Sequence, residues 1–197
     1  MKSLAIEREF GSGGREIGMK VAESLGIPYY DTNLLLKAAE EYGLSVGELQ
    51  DYDEKWTGSF LYQIAMAANY TQGADQSQIY KVQYSVKETI KKLEAKGTSV
   101  FIGRCATEIL KYHPQVVRVY IYSSSEQKKI NRIMQTEGLS EYEAKRLKDK
   151  KDRSRKTYFK FWTEKEWSDR KNYDMELNTG MLSVEECTDI LLHVMQQ

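Results

Sequence analysis

The segment 11–16 reads Gly-Ser-Gly-Gly-Arg-Glu, a composition typical of a loop that binds an anion. An apolar run, Leu4 to Ile6, precedes it, and helical periodicity begins at Ile17. A glycine-rich turn between a strand and a helix exposes backbone N–H groups, and the helix N-terminus adds a partial positive charge. The usual anion in such a unit is a nucleotide phosphate. The residues predicted to hold it are Gly11, Ser12, Gly13, Gly14, Arg15 and Glu16.

The segment departs from the standard phosphate loop, G-x-x-x-x-G-K-S/T, at three positions. Glu9 stands at the first glycine, Arg15 at the lysine and Glu16 at the Ser/Thr. We expect Arg15 to supply the missing positive charge through a planar fork of donors. Glu16 is a candidate Mg²⁺ ligand, directly or through water. The alternative for the loop is a plain glycine turn that binds no anion. The alternative for Glu16 is an acidic residue in the first turn of a helix, a position favoured by the helix dipole.

A second polar pair, Asp31 and Thr32, follows the predicted strand over 27–30. In this position the carboxylate of Asp31 can hold Mg²⁺ or orient an acceptor, while Thr32 can hydrogen-bond a substrate. The competing interpretation is an ordinary N-cap pair, because Asp and Thr are both common at helix starts. The two tentative metal ligands predicted from the sequence are therefore Glu16 and Asp31.

Arg104 follows Gly103 at the end of a β-branched apolar run, residues 98–103. An arginine at the carboxyl edge of a strand is well placed for bidentate contact with a phosphate. The alternative is an incidental surface ion pair.

The segment 145–171 holds 12 Lys/Arg and 5 Asp/Glu, so its net charge is +7. A mobile lid over a polyphosphate needs such residues, because they neutralise charge on a phosphoryl group in transfer. Its candidate catalytic arginines are Arg153 and Arg155. A solvated basic helix and a nucleic-acid patch remain alternatives. Aromatic residues in the segment suit stacking on single strands or anchoring on the core: Tyr158, Phe159, Phe161, Trp162 and Trp167.

Apolar runs alternate with helical patterns along the chain, which predicts an α/β fold with a parallel sheet and helices on both faces. Ligands of such sheets bind at the carboxyl ends of the strands. This rule brings the glycine loop, Asp31 and Arg104 to one rim. The predicted strands cover residues 4–8, 27–30, 98–103, 116–122 and 173–178.

The composition sets wider bounds on the protein. The 197 residues contain 29 basic and 29 acidic side chains, so no overall field points to nucleic acid or to a membrane. No apolar stretch is long enough for a transmembrane helix, and charge near the N-terminus argues against a signal peptide. We expect a single cytoplasmic domain. Its oligomeric state is left open.

Four blocks of the chain together resemble the cytidylate-kinase-like family, a branch of the P-loop nucleoside monophosphate kinases. The resemblance covers nearly the whole chain and is specific in combination, although each block alone is modest. The blocks are residues 6–18, 26–31, 101–104 and 173–179.

This resemblance implies a three-layer α/β/α P-loop kinase fold with about five parallel strands. It divides the chain into a core (1–39, 97–139 and 172–197), an acceptor-binding insert (about 40–96) and a lid (about 140–171). ATP would be the phosphoryl donor, with Mg²⁺, and its phosphates would lie on residues 11–16. The acceptor would lie by Asp31, Thr32 and Arg104, with Arg153 and Arg155 around the transferring group. Cys105 departs from the Gly-Arg-Asp element of the family, which weakens the case for cytosine.

Three functions follow from these residues. The first is phosphoryl transfer from ATP to a nucleoside monophosphate such as CMP or dCMP, or to another small metabolite. The second is a nucleotide-binding sensor without kinase activity, which the altered loop favours. The third is a single-strand binder built on the basic aromatic segment, with steep salt dependence of binding.

Overall fold

The computed structural model describes residues 1–31, 34, 37, 40, 41 and 76–197, and all structural statements refer to them. The described residues contain five β-strands and six α-helices that largely alternate along the chain. The strands are β1 (Ser3–Arg8), β2 (Tyr29–Tyr30), β3 (Val100–Ile102), β4 (Val116–Tyr122) and β5 (Met175–Asn178). The helices are α1 (Gly14–Leu25), α2 (Gln76–Lys96), α3 (Ala106–Ile109), α4 (Glu126–Glu137), α5 (Glu141–Thr163) and α6 (Val184–Gln196).

The five strands form one parallel sheet in the order β2-β3-β1-β4-β5, which confirms the predicted α/β class. The first strand therefore lies at the centre. Its register pairs Leu4 with Val100 on one side and with Val117 on the other. Because neighbouring strands run the same way, the chain segments that follow β1, β3 and β4 leave the sheet at one edge.

Helices cover both faces of the sheet, so the fold has three layers. Successive residues of β1 point to opposite faces, as the two-residue strand period requires. Leu4 and Ile6 pack with α1 and α6 in the larger apolar cluster, whereas Ala5 packs with α2 in a second cluster. All three side chains are fully buried. The burial of β1 on both faces explains its uninterrupted apolar sequence.

Serine side chains cap the start of several helices. Ser125 accepts a hydrogen bond from the backbone N–H of Lys128 at the start of α4. Ser140 and Glu143 form a reciprocal capping box at the start of α5. Such caps satisfy N–H groups that have no acceptor within the helix.

The predicted strand boundaries lie within two residues of those observed, and β4 matches fully.

The predicted lid segment contains α5 and, after it, a short 3-10 helix over Arg170–Asn172. Most of the predicted acceptor-binding insert, residues 42–75, lies outside the described residues, and so does Thr32. The division into core, insert and lid stays a prediction. None of the helices in the described ranges combines the length and apolar character needed to cross a lipid bilayer.

The edge strand β5 is held to β4 by an ion pair between Asp174 and Arg118. Arg118 donates Nε–H to Asp174 at 2.9 Å and makes a second contact through Nη2. Burial works against the charged form, but the hydrogen bonds from Arg118 outweigh it and lower the pKa of Asp174. A carboxyl group whose pKa is lower in the folded state stabilises the fold above its unfolded pKa. The stabilisation is lost as the pH falls through the folded value.

We therefore expect Asp174→Asn to lower the free energy of unfolding at pH 7 by about 1 kcal/mol, a figure reduced for solvent screening at this partly exposed pair. The difference from the wild-type protein should vanish at a pH below the folded pKa of Asp174, where the carboxyl group is protonated in both states. Urea unfolding at the two pH values measures it. An equal loss at both would contradict an ionic origin.

Candidate functional site

The loop between β1 and α1 is a wide glycine turn built around a buried serine. Gly11 and Gly13 have φ of 79° and 83°, in the left-handed region that glycine enters without strain. Ser12 is fully buried; its Oγ donates to the carbonyl of Glu9 at 2.9 Å and accepts from Gly14 N–H at 3.3 Å. One side chain thus fixes the curvature of the loop from within.

The amides at the start of α1 are available to an anion. Across the part of the chain that the structure describes, the N–H groups of Gly13, Arg15 and Glu16 have no hydrogen-bond acceptor. The N-cap, Gly13, carries no side chain that could satisfy them. Open amides and the helix dipole together favour negative charge at this point. The predicted phosphate cradle is therefore compatible with the geometry of the loop.

The loop is tightly packed against its neighbours. A Cβ atom on Gly11 would lie 2.8 Å from the carbonyl oxygen of Lys129, and one on Gly14 would lie 2.6 Å from Cβ of Arg8. A Cβ atom on Gly13 would lie 3.1 Å from the guanidinium carbon of Arg132. These glycines allow the backbone to lie directly against α4 and β1.

Arginines from two elements and the loop itself meet at the carboxyl end of β1. Arg8 Nη2 lies 3.4 Å from Asp31 Oδ1, and Arg15 donates Nε–H to Asp31 Oδ2 at 2.7 Å. Arg155 of α5 donates to the backbone carbonyl of Arg8 at 2.8 Å. The rim thus carries three guanidinium groups, two of which share the carboxylate of Asp31, an arrangement suited to a multiply charged anion.

Helix α5 touches the glycine loop through two side chains. Asp152 accepts the Phe10 N–H at 2.7 Å, and the Arg155 guanidinium lies 5.4 Å from the centre of the Phe10 ring. Burial raises the pKa of Asp152, whereas burial and the neighbouring Arg8 charge lower the pKa of Arg155 to about 9. Both shifts disfavour the charged forms. A bound anion would compensate the arginine charge.

Glu9, which replaces the first glycine of the standard motif, anchors the loop to the next strand. Its Oε2 accepts the Ser123 N–H at 3.1 Å and the Lys129 ammonium at 3.0 Å. Burial lowers the pKa of Lys129, but hydrogen bonds to Glu9 and Glu126 outweigh this, so the pKa is raised. Lys129 therefore stays charged beneath the loop.

Three consecutive residues after β3 adopt left-handed backbone conformations. Gly103, Arg104 and Cys105 have φ of 82°, 58° and 57°, a strained geometry for the two that are not glycine. The Cys105 N–H donates to Glu7 Oε1 at 3.2 Å, and Trp167 Nε1–H donates to Glu7 Oε2 at 3.1 Å. Glu7 is only 4% exposed, and burial raises its pKa. This buried carboxyl group fastens the turn that presents Arg104.

The structure brings together most of the residues that the sequence singles out. Asp31 and Arg155 lie beside the glycine loop, and the Gly103–Arg104 turn adjoins Arg8. Arg153 is exposed. It lies about 200° around α5 from Arg155, because the two residues are two positions apart in the helix. The assigned roles of all these residues stay predictions.

Sequence reasoning missed Arg8, Asp152 and the Glu7–Trp167 contact. The strand-end rule that selected Arg104 also applies to Arg8, the last residue of β1, and could have found it. By contrast, Asp152 meets Phe10 across 142 positions of the chain, and no local pattern reports such a contact.

The two tentative metal ligands are each paired with arginine. Glu16 lies 2.5 Å from Arg132 and 3.6 Å from Lys20, whereas Asp31 contacts Arg8 and Arg15. The ranges that the structure describes contain no group of three or more His, Cys, Asp or Glu able to hold a metal ion. Glu16 and Asp31 are each neutralised by arginine in this structure, and their role as magnesium ligands stays a prediction.

Two clefts flank the glycine loop. One, of about 500 Å³, extends from Arg8 and Arg155 along α1 and α4. The other, of about 570 Å³, lies between α4 and the turn that joins β5 to α6. Gly11, Glu16 and Arg132 line both clefts. An extended ligand can therefore cross the loop with a portion in each cleft.

Three of the five aromatic residues of the basic segment are buried in the core, whereas Phe161 and Trp162 are half-buried. Tyr158, Phe159 and Trp167 are buried in a cluster with Tyr120 and Tyr173. This packing supports the anchoring interpretation, because buried rings cannot form a stacking surface for nucleic-acid bases.

Comparisons with known proteins extend this picture. The family model described as "Cytidylate kinase-like family" matches residues 3–181. No curated protein sequence matches the chain. An uncharacterized protein from Eubacterium ventriosum of solved structure is 28% identical and has a TM-score of 0.75. The match covers 100% of this chain and 99% of that one.

Two more distant solved structures resemble the chain in fold alone. Shikimate kinase from Bacteroides thetaiotaomicron is 14% identical, with a TM-score of 0.54 and coverage of 100% of this chain and 99% of that one. Deoxyadenosine kinase from M. mycoides with bound dATP is 11% identical, with a TM-score of 0.51 and full coverage of both chains. The sheet with its flanking helices thus matches that of P-loop kinases.

Proposed function

The chain belongs to the cytidylate kinase-like family, and on that premise we propose that it transfers a phosphoryl group from ATP to a nucleoside monophosphate. CMP and dCMP are the first acceptors to test. Family membership supports phosphoryl transfer to a nucleotide or another small molecule in general terms. The observation that carries the proposal is the set of open loop amides beside the three arginines at the end of β1.

The donor phosphates bind residues 11–16. The N–H groups of Gly13, Arg15 and Glu16 are free to donate to phosphate oxygens, and the dipole of α1 adds to the attraction. The cleft between α4 and the β5–α6 turn adjoins Gly11, so it can take the base and ribose of ATP. Arg15 stands at the sequence position of the motif lysine and adds positive charge beside the loop.

The acceptor binds across the loop from the donor. Asp31 and Thr32 follow β2, and the turn after β3 presents Arg104, whose guanidinium can clamp the phosphate of the acceptor. Buried Glu7 fixes this turn, so Arg104 leaves the sheet in a defined direction.

Charge neutralisation and the exclusion of water complete the mechanism. Arg155, with Arg15, acts on charge that spreads over the transferring group. Arg153 is exposed on another side of α5 and would join them if α5 turns or shifts when substrates bind. Helix α5 already contacts the loop through Asp152, which limits the access of water from that side. Mg²⁺, the usual companion of ATP, would draw its ligands from phosphate oxygens and water, because Glu16 and Asp31 are each paired with arginine.

The test is an end-point assay with purified protein, ATP, Mg²⁺ and CMP, dCMP, UMP, AMP or GMP in separate reactions. We expect a nucleoside diphosphate from at least one acceptor, measured by ion-exchange chromatography. ATP hydrolysis without an acceptor should be much slower. Binding of nucleotides without any diphosphate product would favour the sensor, which the replaced lysine and Ser/Thr make the second candidate.

With an active acceptor in hand, Arg15→Ala should lower kcat/KM by about 10- to 100-fold, since it removes a charge-assisted contact to phosphate. Initial rates over a range of ATP concentrations measure the loss. Arg146→Ala is the matched control, because Arg146 is exposed on α5 beside Tyr142, away from the loop. Unchanged kinetics in Arg15→Ala would refute the assigned role of Arg15.

A further inference from the structure

Arg8 ends the central strand and leads directly into the glycine loop. We propose that Arg8 is a substrate-contacting residue: its guanidinium binds a phosphate oxygen of the donor and supplies the fixed charge that the standard motif takes from lysine. The inference rests on the proposed function, which it deepens. It assigns Arg15 an outer, supporting role.

The position of Arg8 is fixed by its neighbours. Its side chain is 13% exposed, and it lines the cleft that begins at the loop. Cβ of Arg8 packs against Gly14, and its Nη1 occupies the space that a side chain on Gly103 would take. A cation held between the loop and the turn that carries Arg104 lies where donor and acceptor must meet.

The hydrogen bonds of Arg8 are incomplete. Nη2 reaches Asp31 at 3.4 Å, which is a long contact, and Nε is buried without a partner among the residues that the structure describes. A buried donor without an acceptor is costly, so such groups in native proteins call for a partner. A phosphate oxygen in the adjoining cleft would supply one.

The balance of charge also points to an anion. Arg8 and Arg15 share one carboxylate, Asp31, whereas Arg155 donates to the neutral backbone carbonyl of Arg8. Of the other carboxyl groups nearby, Glu9 is paired with Lys129, and burial raises the pKa of Asp152 and of Glu7, which disfavours their charged forms. Arg8 and Arg15 thus carry two positive charges against the single carboxylate that they contact, which favours an anionic ligand beside them.

Arg15 is less suited to this inner role. Its side chain is 63% exposed, and its Nε–H is already donated to Asp31 at 2.7 Å. A ligand would have to compete with that carboxylate and order a long, mobile side chain. Arg8 is preorganised, so less conformational entropy is lost when it binds phosphate.

The test compares the binding of ATP and AMP by titration calorimetry in the full-length protein and four variants. Arg8→Met keeps the length of the side chain without its charge, and Arg8→Lys keeps the charge without the fork. Arg15→Met tests the outer position, and Arg146→Met is the control on α5. Circular dichroism and Tm establish that each variant is folded.

We expect Arg8→Met to weaken ATP binding by about 30- to 100-fold and AMP binding much less, because a charge-assisted contact to the distal phosphates is lost. Arg8→Lys should recover part of the affinity, and Arg15→Met should weaken ATP binding by about tenfold or less. A purely structural role would change both affinities alike. The ratio of the two affinities therefore distinguishes the roles.

The outcomes separate the inference from the proposed function. Failure of the wild-type protein to bind ATP would refute both. If the wild-type protein binds ATP and Arg8→Met binds ATP with an affinity within threefold of the wild type, the inference alone is overturned. If Arg8→Met does not fold, the ratio of the ATP and AMP affinities of Arg8→Lys decides between a binding role and a structural one. If neither variant folds, Arg8 is required by the fold and the inference is overturned.

Discussion

Replacement of Arg155 by methionine is expected to lower kcat by about 10³-fold, a loss of the size seen when an arginine that acts on a transferring phosphoryl group is removed. Arg155 lines the cleft that begins at the glycine loop and is held over Phe10 by its bond to the Arg8 carbonyl. Its guanidinium can therefore reach a phosphoryl group on the loop without a large movement of α5. Single-turnover rates at saturating ATP measure the chemical step.

The stability of the same variant distinguishes a catalytic role from a structural one. The depressed pKa of Arg155 means that its buried charge opposes folding, whereas the bond to Arg8 favours it. We expect these effects to oppose each other and to leave Tm within about 3 °C of the wild type. A large fall in Tm together with the loss of rate would indicate a structural role instead.

Arg153→Met and Arg146→Met complete the comparison. Arg153 was predicted as a second lid arginine, yet it is exposed and on a different side of α5 from Arg155. A loss in Arg153→Met comparable to that in Arg155→Met would require α5 to turn or shift when substrates bind. Arg146→Met should retain full activity, and a loss there would point to a general effect of charge on α5.

The second large effect concerns the loop itself. Gly11→Ala should lower the free energy of unfolding by about 3 kcal/mol, from left-handed backbone strain and from overpacking against α4. The φ of Gly11 is 79°, and a methyl group there would lie 2.8 Å from the Lys129 carbonyl oxygen. For a chain of this length the loss corresponds to a fall in Tm of about 6 to 12 °C. Differential scanning calorimetry of the free protein measures it.

Gly26→Ala is the matched control for Gly11→Ala. Gly26 also has a positive φ, 63°, but a methyl group there would meet no atom within 4 Å. Its cost should be the backbone strain alone, about 1 kcal/mol. Equal losses in the two variants would mean that the loop yields to the added atom and that the contact with α4 is not rigid.

Much of the fold could be predicted because the signals are local. The β-branched run of β4 lies within a short window of sequence, and the strand is found where it was expected. The convergence of the loop, Asp31 and the Arg104 turn followed from one rule about parallel strands. To apply that rule, only the order of strands and helices along the chain must be known.

The remaining parts of the site depend on long-range contacts. Glu9 was interpreted as a lost glycine, and only the folded chain reveals that it binds Ser123 and Lys129. Likewise, Glu7 meets Trp167 across 160 positions. Sequence patterns report which side chains exist at a strand end but not which partner neutralises each charge. Arg8 differs from these residues, because the strand-end rule that selected Arg104 also applies to it and could have found it.

The central position of β1 has a consequence for changes in its length. Three charged residues follow in succession, Glu7 and Arg8 at the end of the strand and Glu9 directly after it, and neighbouring residues on a strand point to opposite sides. The insertion or deletion of one residue within β1 would place a carboxylate where the guanidinium of Arg8 now stands. A change of one residue in the length of this strand would therefore reverse the sign of the charge at the entrance to the loop.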